Sequence, residues 1–248
     1  MAWFYKICTK ISETIMKKAL LMLICGSAML IASAQKSDPK SSVIIKAGLN
    51  SANITTTDDG RVDDAKSLKS FHVGFVGDLY IAKILSFQPG LLLTGKGSKV
   101  EAGQSSDANY YKATTNPMYL EIPANLVLKF PIAANAKIYA GAGPYLAIGI
   151  AGKNKVEGKV GGVAFESKEN IEWSNDDPTT LNFEEGAGFG VLRRFDYGVN
   201  ALAGVEFDKL IIGAGYGLGL AKLQSGSDNG SNDNNKHRVW SFSLGYRF

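Results

Sequence analysis

His72 and His237 are the only histidines in the chain, and imidazole is the side chain whose unperturbed titration falls near neutrality. A hydrolase or acyltransferase would need one of them aligned with a hydroxyl nucleophile and an orienting carboxylate. Ser241 and Glu121 have the right chemistry, but no spacing in the sequence brings them together. A hydrogen-bonded structural histidine is the simpler reading, so no catalytic residue is assigned and no enzymatic activity is expected. Two stretches are rich in oxygen ligands: Asp58, Asp59, Asp63 and Asp64, then Asp228, Asn229, Asn232 and Asp233. Neither has the alternating ligands and closing Glu of an EF-hand loop. Both read as solvated loops, and no metal is assigned. Gly186-Ala187-Gly188-Phe189-Gly190 is glycine-rich like a phosphate-binding loop. Such a loop must open a helix, and none follows, so no cofactor is expected.

The remaining candidates for chemistry fall away with the N-terminus. The chain has 248 residues, with 27 Lys+Arg against 23 Asp+Glu and 28 Gly. Its first 34 residues hold Lys6, Lys10, Lys17 and Lys18 against Glu13, together with both cysteines, Cys8 and Cys25. Removing them leaves 23 basic against 22 acidic residues, a net of +1 for 35–248. That is a poor match to a phosphate backbone, and no nucleic-acid partner is expected. Met16-Lys17-Lys18 forms a positive leader, and Ala19 to Ile31 an apolar run of 13 residues, short of the ~20 that span a bilayer. Ala32-Ser33-Ala34 offers small residues at the cleavage positions, with Gln35 as the first mature residue. Residues 16–34 therefore read as a secretory signal peptide, 1–15 as an over-called upstream extension, and 35–41 as a short lead. A lipoprotein reading of Cys25 fails, because Ile24 precedes it where a small residue is required.

What positions the mature chain's side chains is strict alternation. From Phe71 to Ile81 the odd positions read Phe, Val, Phe, Gly, Leu, Ile, and from Met118 to Phe130 the even ones read Met, Leu, Ile, Ala, Leu, Leu, Phe. A period of two means β-strand with one apolar and one polar face. Eight segments follow: 42–50, 69–82, 84–97, 117–130, 136–151, 193–207, 209–222 and 238–248. Connections around Lys83, Pro131–Asn135 and Asp208 are short, whereas 51–68, 98–116, 152–192 and 223–237 are long and polar. All the long ones fall at one end of the sheet. That rhythm, the even strand number and the strand length predict an all-β, eight-stranded antiparallel up-and-down transmembrane β-barrel of outer-membrane type over 42–248. It would have four long extracellular loops and three short periplasmic turns.

The alternation also sorts the faces. Lipid would meet Val, Ile, Leu, Phe and Ala, with Phe87, Phe130, Tyr197, Phe207, Trp240 and Tyr246 in interfacial girdles. The lumen would receive Lys46, Asp78, Lys96, Glu121, Lys129, Asp196, Glu206 and Arg247, with Asn50, Gln88, Asn125 and Asn200. Four basic and four acidic groups are tolerable there only as pairs. Gly141, Gly143, Gly149, Gly213, Gly215, Gly217 and Gly219 leave room for long side chains opposite them. An eight-stranded interior is just wide enough for side chains to fill, so a plugged lumen is expected.

The last eight residues, Ser241 to Phe248, alternate and close on Tyr246 and Phe248, which resembles the signal read by the outer-membrane barrel assembly machinery. Further motifs are Lys46-Ala47-Gly48-Leu49-Asn50, Phe71-His72-Val73-Gly74-Phe75, Ser86-Phe87-Gln88-Pro89-Gly90-Leu91-Leu92-Leu93-Thr94-Gly95-Lys96-Gly97, Tyr119-Leu120-Glu121-Ile122-Pro123, Gly141-Ala142-Gly143-Pro144-Tyr145 and Gly215-Tyr216-Gly217-Leu218-Gly219-Leu220. With Leu244-Gly245-Tyr246-Arg247-Phe248 they resemble, in order, the PorT-like or porin-family "outer membrane protein beta-barrel domain" proteins of the Bacteroidetes. Gly90 departs from the acidic residue often found after that proline. The resemblance implies an eight-stranded outer-membrane barrel and no particular solute.

The expected function is therefore a structural or interaction role through the extracellular loops of an outer-membrane protein with a side-chain-filled lumen. A narrow porin-like passage for small solutes is the alternative, and a lipid-modifying enzyme ranks behind it. Expected partners are outer-membrane lipid or lipopolysaccharide, the barrel assembly machinery, and secretion-system or other envelope proteins. A water-soluble eight-stranded barrel would reverse the two faces; the girdle aromatics, the loop rhythm and Phe248 favour the membrane.

Overall fold

In the computed structural model, the structure describes residues 41–55, 65–173, 191–221, 223 and 235–248. The segment expected as a signal peptide with Ala34 and Gln35, the oxygen-rich stretches 58–64 and 228–233, and the glycines of 186–190 lie outside them. The described chain is all strand: β1 (Ser42–Ile54), β2 (Ala65–Ala82), β3 (Leu85–Gly95), β4 (Ser98–Ala102), β5 (Tyr110–Ala133), β6 (Ala136–Val160), β7 (Val163–Asn170), β8 (Glu172–Trp173), β9 (Val191–Leu192), β10 (Phe195–Phe207), β11 (Leu210–Gly219) and β12 (His237–Arg247). No helix among the described residues is long and apolar enough to cross a membrane, which says nothing of crossing by strands.

Eight of these strands pair antiparallel in the order β1, β2, β3, β5, β6, β10, β11, β12, and β12 pairs back onto β1. The ring has no free edge along its length, which removes the aggregation hazard of an open sheet. Its register is staggered. Lys69 faces Ser51, then Trp240, Tyr216, Ala201, Ala142, Leu126 and Phe87, and the circuit returns to β2 at Leu79, ten residues along. Such a stagger tilts the strands by about 40° from the ring axis.

The three turns at one end are tight. Ala82 pairs with Leu85, Ala133 with Ala136 and Phe207 with Leu210, leaving two residues at each turn. Asp208 sits at φ 53, a left-handed position that a primed hairpin turn demands and that Asp tolerates.

At the other end the structure corrects the expected boundaries. Residues 98–116 and 152–170, expected as loops, are largely strand: β5 begins at Tyr110 and β6 runs to Val160. β6 turns at Gly161-Gly162, both with positive φ, into β7, and β4 bridges β2 and β5. The apolar alternation that marks a lipid-facing strand ends near Met118 and Ile150. Beyond them the alternation is of charge, with Lys153, Lys155, Glu157 and Lys159 on one face of β6, so a hydrophobic pattern could not reveal it. Ion pairs replace apolar contact, across strands at Lys66–Glu101 (2.9 Å) and Lys112–Glu157 (2.5 Å) and along one strand at Lys99–Glu101 (3.3 Å) and Lys155–Glu157 (2.5 Å).

Hydrogen bonds from Lys112, and then from Lys155, hold the Glu157 carboxyl at about 2, well below the usual carboxylate range. A carboxylate depressed in the folded state contributes stability above its unfolded pKa and loses it as pH falls through the folded value. The β5–β6 extension should therefore loosen between about pH 4.5 and 2. Amide protection at 110–116 and 152–160, taken relative to the intrinsic exchange rate at each pH, should fall across that window in the parent and not in Glu157→Gln. Equal behaviour of both proteins would refute the assignment.

Candidate functional site

The inside of the ring carries the polar chemistry, because period-two strands that give one face to Leu, Ile and Phe must turn the other face inward. The outward face is exposed and apolar, with Leu49 70%, Leu146 65% and Phe242 61% accessible. The inward face buries Asn50, His72, Asp78, Gln88, Lys96, Glu121, Asn125, Lys129, Asp196 and Glu206. Such an inversion of a soluble protein's pattern leaves the charges to satisfy one another, and they do so at two levels.

Toward the tight turns, Lys129 Nζ on β5 lies 2.5 Å from Asp78 Oδ2 on β2 and 2.7 Å from Glu206 Oε1 on β10. Arg247 on β12 reaches the same two acids, at 3.2 Å and 2.7 Å, and Gln88 donates to Asp78 Oδ1 at 3.1 Å. Two cations and two anions from four strands form a neutral cluster across the ring. Lys129 also lies 5.1 Å from the centroid of Tyr80.

Toward the long strands, Lys96 binds Glu121 (2.7 Å) and Asp196 (2.9 Å), with its ammonium 3.8 Å from the centroid of Tyr145. Tyr145 Oη donates to Asp196 at 3.1 Å, and Asn200 Nδ2 to Glu121 at 3.1 Å. This cluster carries one cation against two anions. The balancing charge is Lys46, which has no ion pair or hydrogen bond with the described residues and lines a cavity of about 100 Å³. The cavity runs from Lys96 and Glu121 to Gln88 and Glu206. It is room for a few water molecules at about 30 Å³ each.

The structure therefore joins seven of the eight charged residues expected in the lumen into ion pairs and leaves Lys46 apart. Three tyrosines that the alternation did not single out complete the filling. Tyr119, Tyr139 and Tyr145 are buried, and each occupies space that a glycine leaves or a neighbouring ring borders. A Cβ on Gly204 would lie 2.6 Å from Tyr139 Oη, and one on Gly198 2.7 Å from the Tyr145 ring. The glycines on the facing strands were the available signal. Tyr139 also joins Ile44, Val76, Leu92, Val127 and Ile211 in a small apolar layer inside the ring.

Each histidine makes one ring hydrogen bond, while His72 Nε2 and His237 Nδ1 are buried without a partner among the described residues. Asn50 Nδ2 points at Phe71 O, Thr94 Oγ1 and Gly95 O, so its Oδ1 accepts from His72 Nδ1 at 2.8 Å. An amide therefore stands where a triad would need a carboxylate. Ser241, Glu121 and His72 line the same cavity, but no hydrogen bond joins them. His237 Nε2 meets Tyr119 Oη at 3.3 Å, packed edge-on against that ring. At the end of β12, Tyr246 and Phe248 stand outward, with ring centroids 5.1 Å apart.

Comparison with known proteins gives one family and several distant folds. The family model described as "Outer membrane protein beta-barrel domain" matches residues 33–225. Comparison with curated proteins finds no match. Among solved structures, the attachment invasion locus protein Ail of Yersinia pestis is 15% identical, covering 84% of this chain and 97% of its own, with a TM-score of 0.37. Neisserial surface protein A is 16% identical over 84% and 97%, with a TM-score of 0.37. Pseudomonas aeruginosa OprG is 10% identical over 84% and 96%, with the same score.

Proposed function

The chain belongs to the outer membrane protein beta-barrel domain family, and from that premise we propose that it is a non-enzymatic, eight-stranded transmembrane barrel with a closed lumen. Its working surface is the outer end of the sheet, where the β4–β5–β6–β7 extension and the connections between strands meet outer-leaflet lipid or envelope partners. The two buried ion-pair clusters carry this reading. A solute crossing the ring would have to pull apart Lys96, Glu121 and Asp196, then Lys129, Asp78, Glu206 and Arg247, each a desolvated set whose disruption costs several kcal/mol. Among the described residues a cavity of only about 100 Å³ lies with them inside the ring. The ordered glycine and aromatic motifs support placement with the PorT-like members, and outward Tyr246 and Phe248 support recognition by the barrel assembly machinery.

The test is conductance. Purified protein in planar bilayers should show no large stable steps, only small or sporadic events. Glu121→Gln, which removes a partner of Lys96, should lower stability more than it changes current. Reproducible porin-sized steps from the parent protein would make solute passage the function instead.

Export is the second expectation. Protein extracted from membranes should begin at Gln35 by mass spectrometry, with cleavage after Ala34. An intact N-terminus, or an acylated Cys25, would remove the secretory route from the proposal.

A further inference from the structure

The outward surface shared by β11, β12, β1 and β2 changes character in one step. Below the step it is apolar: Phe71, Leu49 and Phe242 are 48%, 70% and 61% exposed. At the step, Lys69, Ser51, Trp240 and Tyr216 stand in one cross-strand row. Trp240 is 56% exposed, and its ring lies 4.9 Å from that of Tyr216. One outward position higher on β12 is Arg238, paired with Asn53. Arg238 Nη1 donates to Gly219 O (3.0 Å) and His237 O (2.9 Å). This anchors the guanidinium, and its remaining N–H groups have no partner among the described residues. Lys69 is exposed and makes no hydrogen bond or ion pair with the described residues.

The strand tilt brings Lys69 and Arg238 to the same level on the ring. They are two strands apart and two residues offset, so their Cα atoms are about 12 Å apart. No Asp or Glu occurs in β1, β11 or β12, nor in β2 before Asp78, so no acid in these strands faces either cation. The opposite rim differs: Lys209 lies 5.9 Å from the Tyr246 ring, but Asp208 is its neighbour in the turn.

We propose that this face binds the phosphorylated sugar head group of an outer-leaflet glycolipid. Lys69 and Arg238 would take phosphates at two ends of the head group, Trp240 and Tyr216 would stack on a sugar face, and the acyl chains would lie on Phe71, Leu49 and Phe242. Each element answers one part of such a lipid. Guanidinium and ammonium form charge-assisted hydrogen bonds to phosphate, exposed Trp and Tyr favour sites with one apolar and one wet side, and the apolar residues continue the band that meets hydrocarbon. This site rests on the transmembrane reading above.

The full chain is folded into phosphatidylcholine vesicles containing bisphosphorylated lipid A, the same glycolipid stripped of phosphate, or phosphatidylglycerol. Native mass spectrometry after detergent extraction reads the lipid retained. The parent should retain bisphosphorylated lipid A at least tenfold above either of the others. Lys69→Gln and Arg238→Gln should each lower retention roughly tenfold, and Trp240→Leu should lower it while leaving the heat-modifiable band intact. Lys209→Gln, at the opposite rim, should change nothing. Equal retention of the dephosphorylated glycolipid or of phosphatidylglycerol, or unchanged retention by Lys69→Gln, would overturn the site while leaving the barrel reading standing. A parent protein with no heat-modifiable band in any vesicle would overturn the barrel reading itself.

Discussion

Replacing Asp78 with Asn should destabilise the folded protein in lipid by about 3 kcal/mol, the low end of the cost of breaking a buried ion pair from one side. Asp78 is fully buried and serves Lys129, Arg247 and Gln88 at once. Its loss leaves two cations on Glu206 alone and one buried positive charge without compensation. The cost stays at the low end because Glu206 keeps contact with both Lys129 and Arg247. Restoring neutrality should recover much of the loss. Asp78→Asn combined with Arg247→Gln should fall short of the sum of the single effects by at least about 1 kcal/mol, since both act on one cluster. Lys46→Met should cost less than about 1 kcal/mol, because no direct partner is orphaned. Urea titration of vesicle-folded protein, followed by tryptophan emission, measures all four. Equal costs for Asp78→Asn and Lys46→Met would show that the clusters do not hold the lumen together.

Leu126→Arg should destabilise the protein by roughly 2–4 kcal/mol, the penalty for a basic residue at the bilayer midplane on the lipid face. Leu126 is 51% exposed and central in the outward run Leu120, Ile122, Ala124, Leu126, Leu128, Phe130, Ile132 of β5. Arg at the adjacent Asn125 enters the lumen instead, beside the cavity it lines. There the guanidinium can reach water and the net negative cluster at Glu121 and Asp196, so Asn125→Arg should cost less despite crowding. The same titration compares them. If Asn125→Arg is clearly the worse of the two, the inside and outside of the ring have been exchanged.

The Leu126–Asn125 contrast marks how much was legible in the sequence. Face assignment needed parity to sort the residues into two sets, and the girdle aromatics, loop rhythm and Phe248 to say which set is outward. A strand's side chains alternate, so once Leu126 is outward, Glu121, Asn125 and Lys129 are inward on the same strand. Three of the turns were legible too, because Lys83, the stretch ending at Asn135, and Asp208 interrupt long alternating runs. The outer ends of β5 and β6 were not. Their register continues through Lys112, Lys153, Lys155 and Glu157, residues that look like loop wherever strand is inferred from apolar periodicity. On that part of the face cross-strand charge pairs do what apolar contact does below.

Composition, alternation and the inventory of the lumen were all readable along the chain: four basic and four acidic residues, with glycines opposite long side chains. These are local properties, carried by each strand alone. Which charge meets which was decided by tertiary structure. Lys129 and Asp78 are 51 residues apart, Lys96 and Asp196 100, and Arg247 and Asp78 169. Their meeting depends on the ten-residue stagger of the closed ring. A change in stagger would preserve every inward residue and every strand, yet pair the charges differently. That is why parity predicted the eight residues, and only closure of the ring left Lys46 beside the cavity with no ion-pair partner among the described residues while its seven companions found theirs.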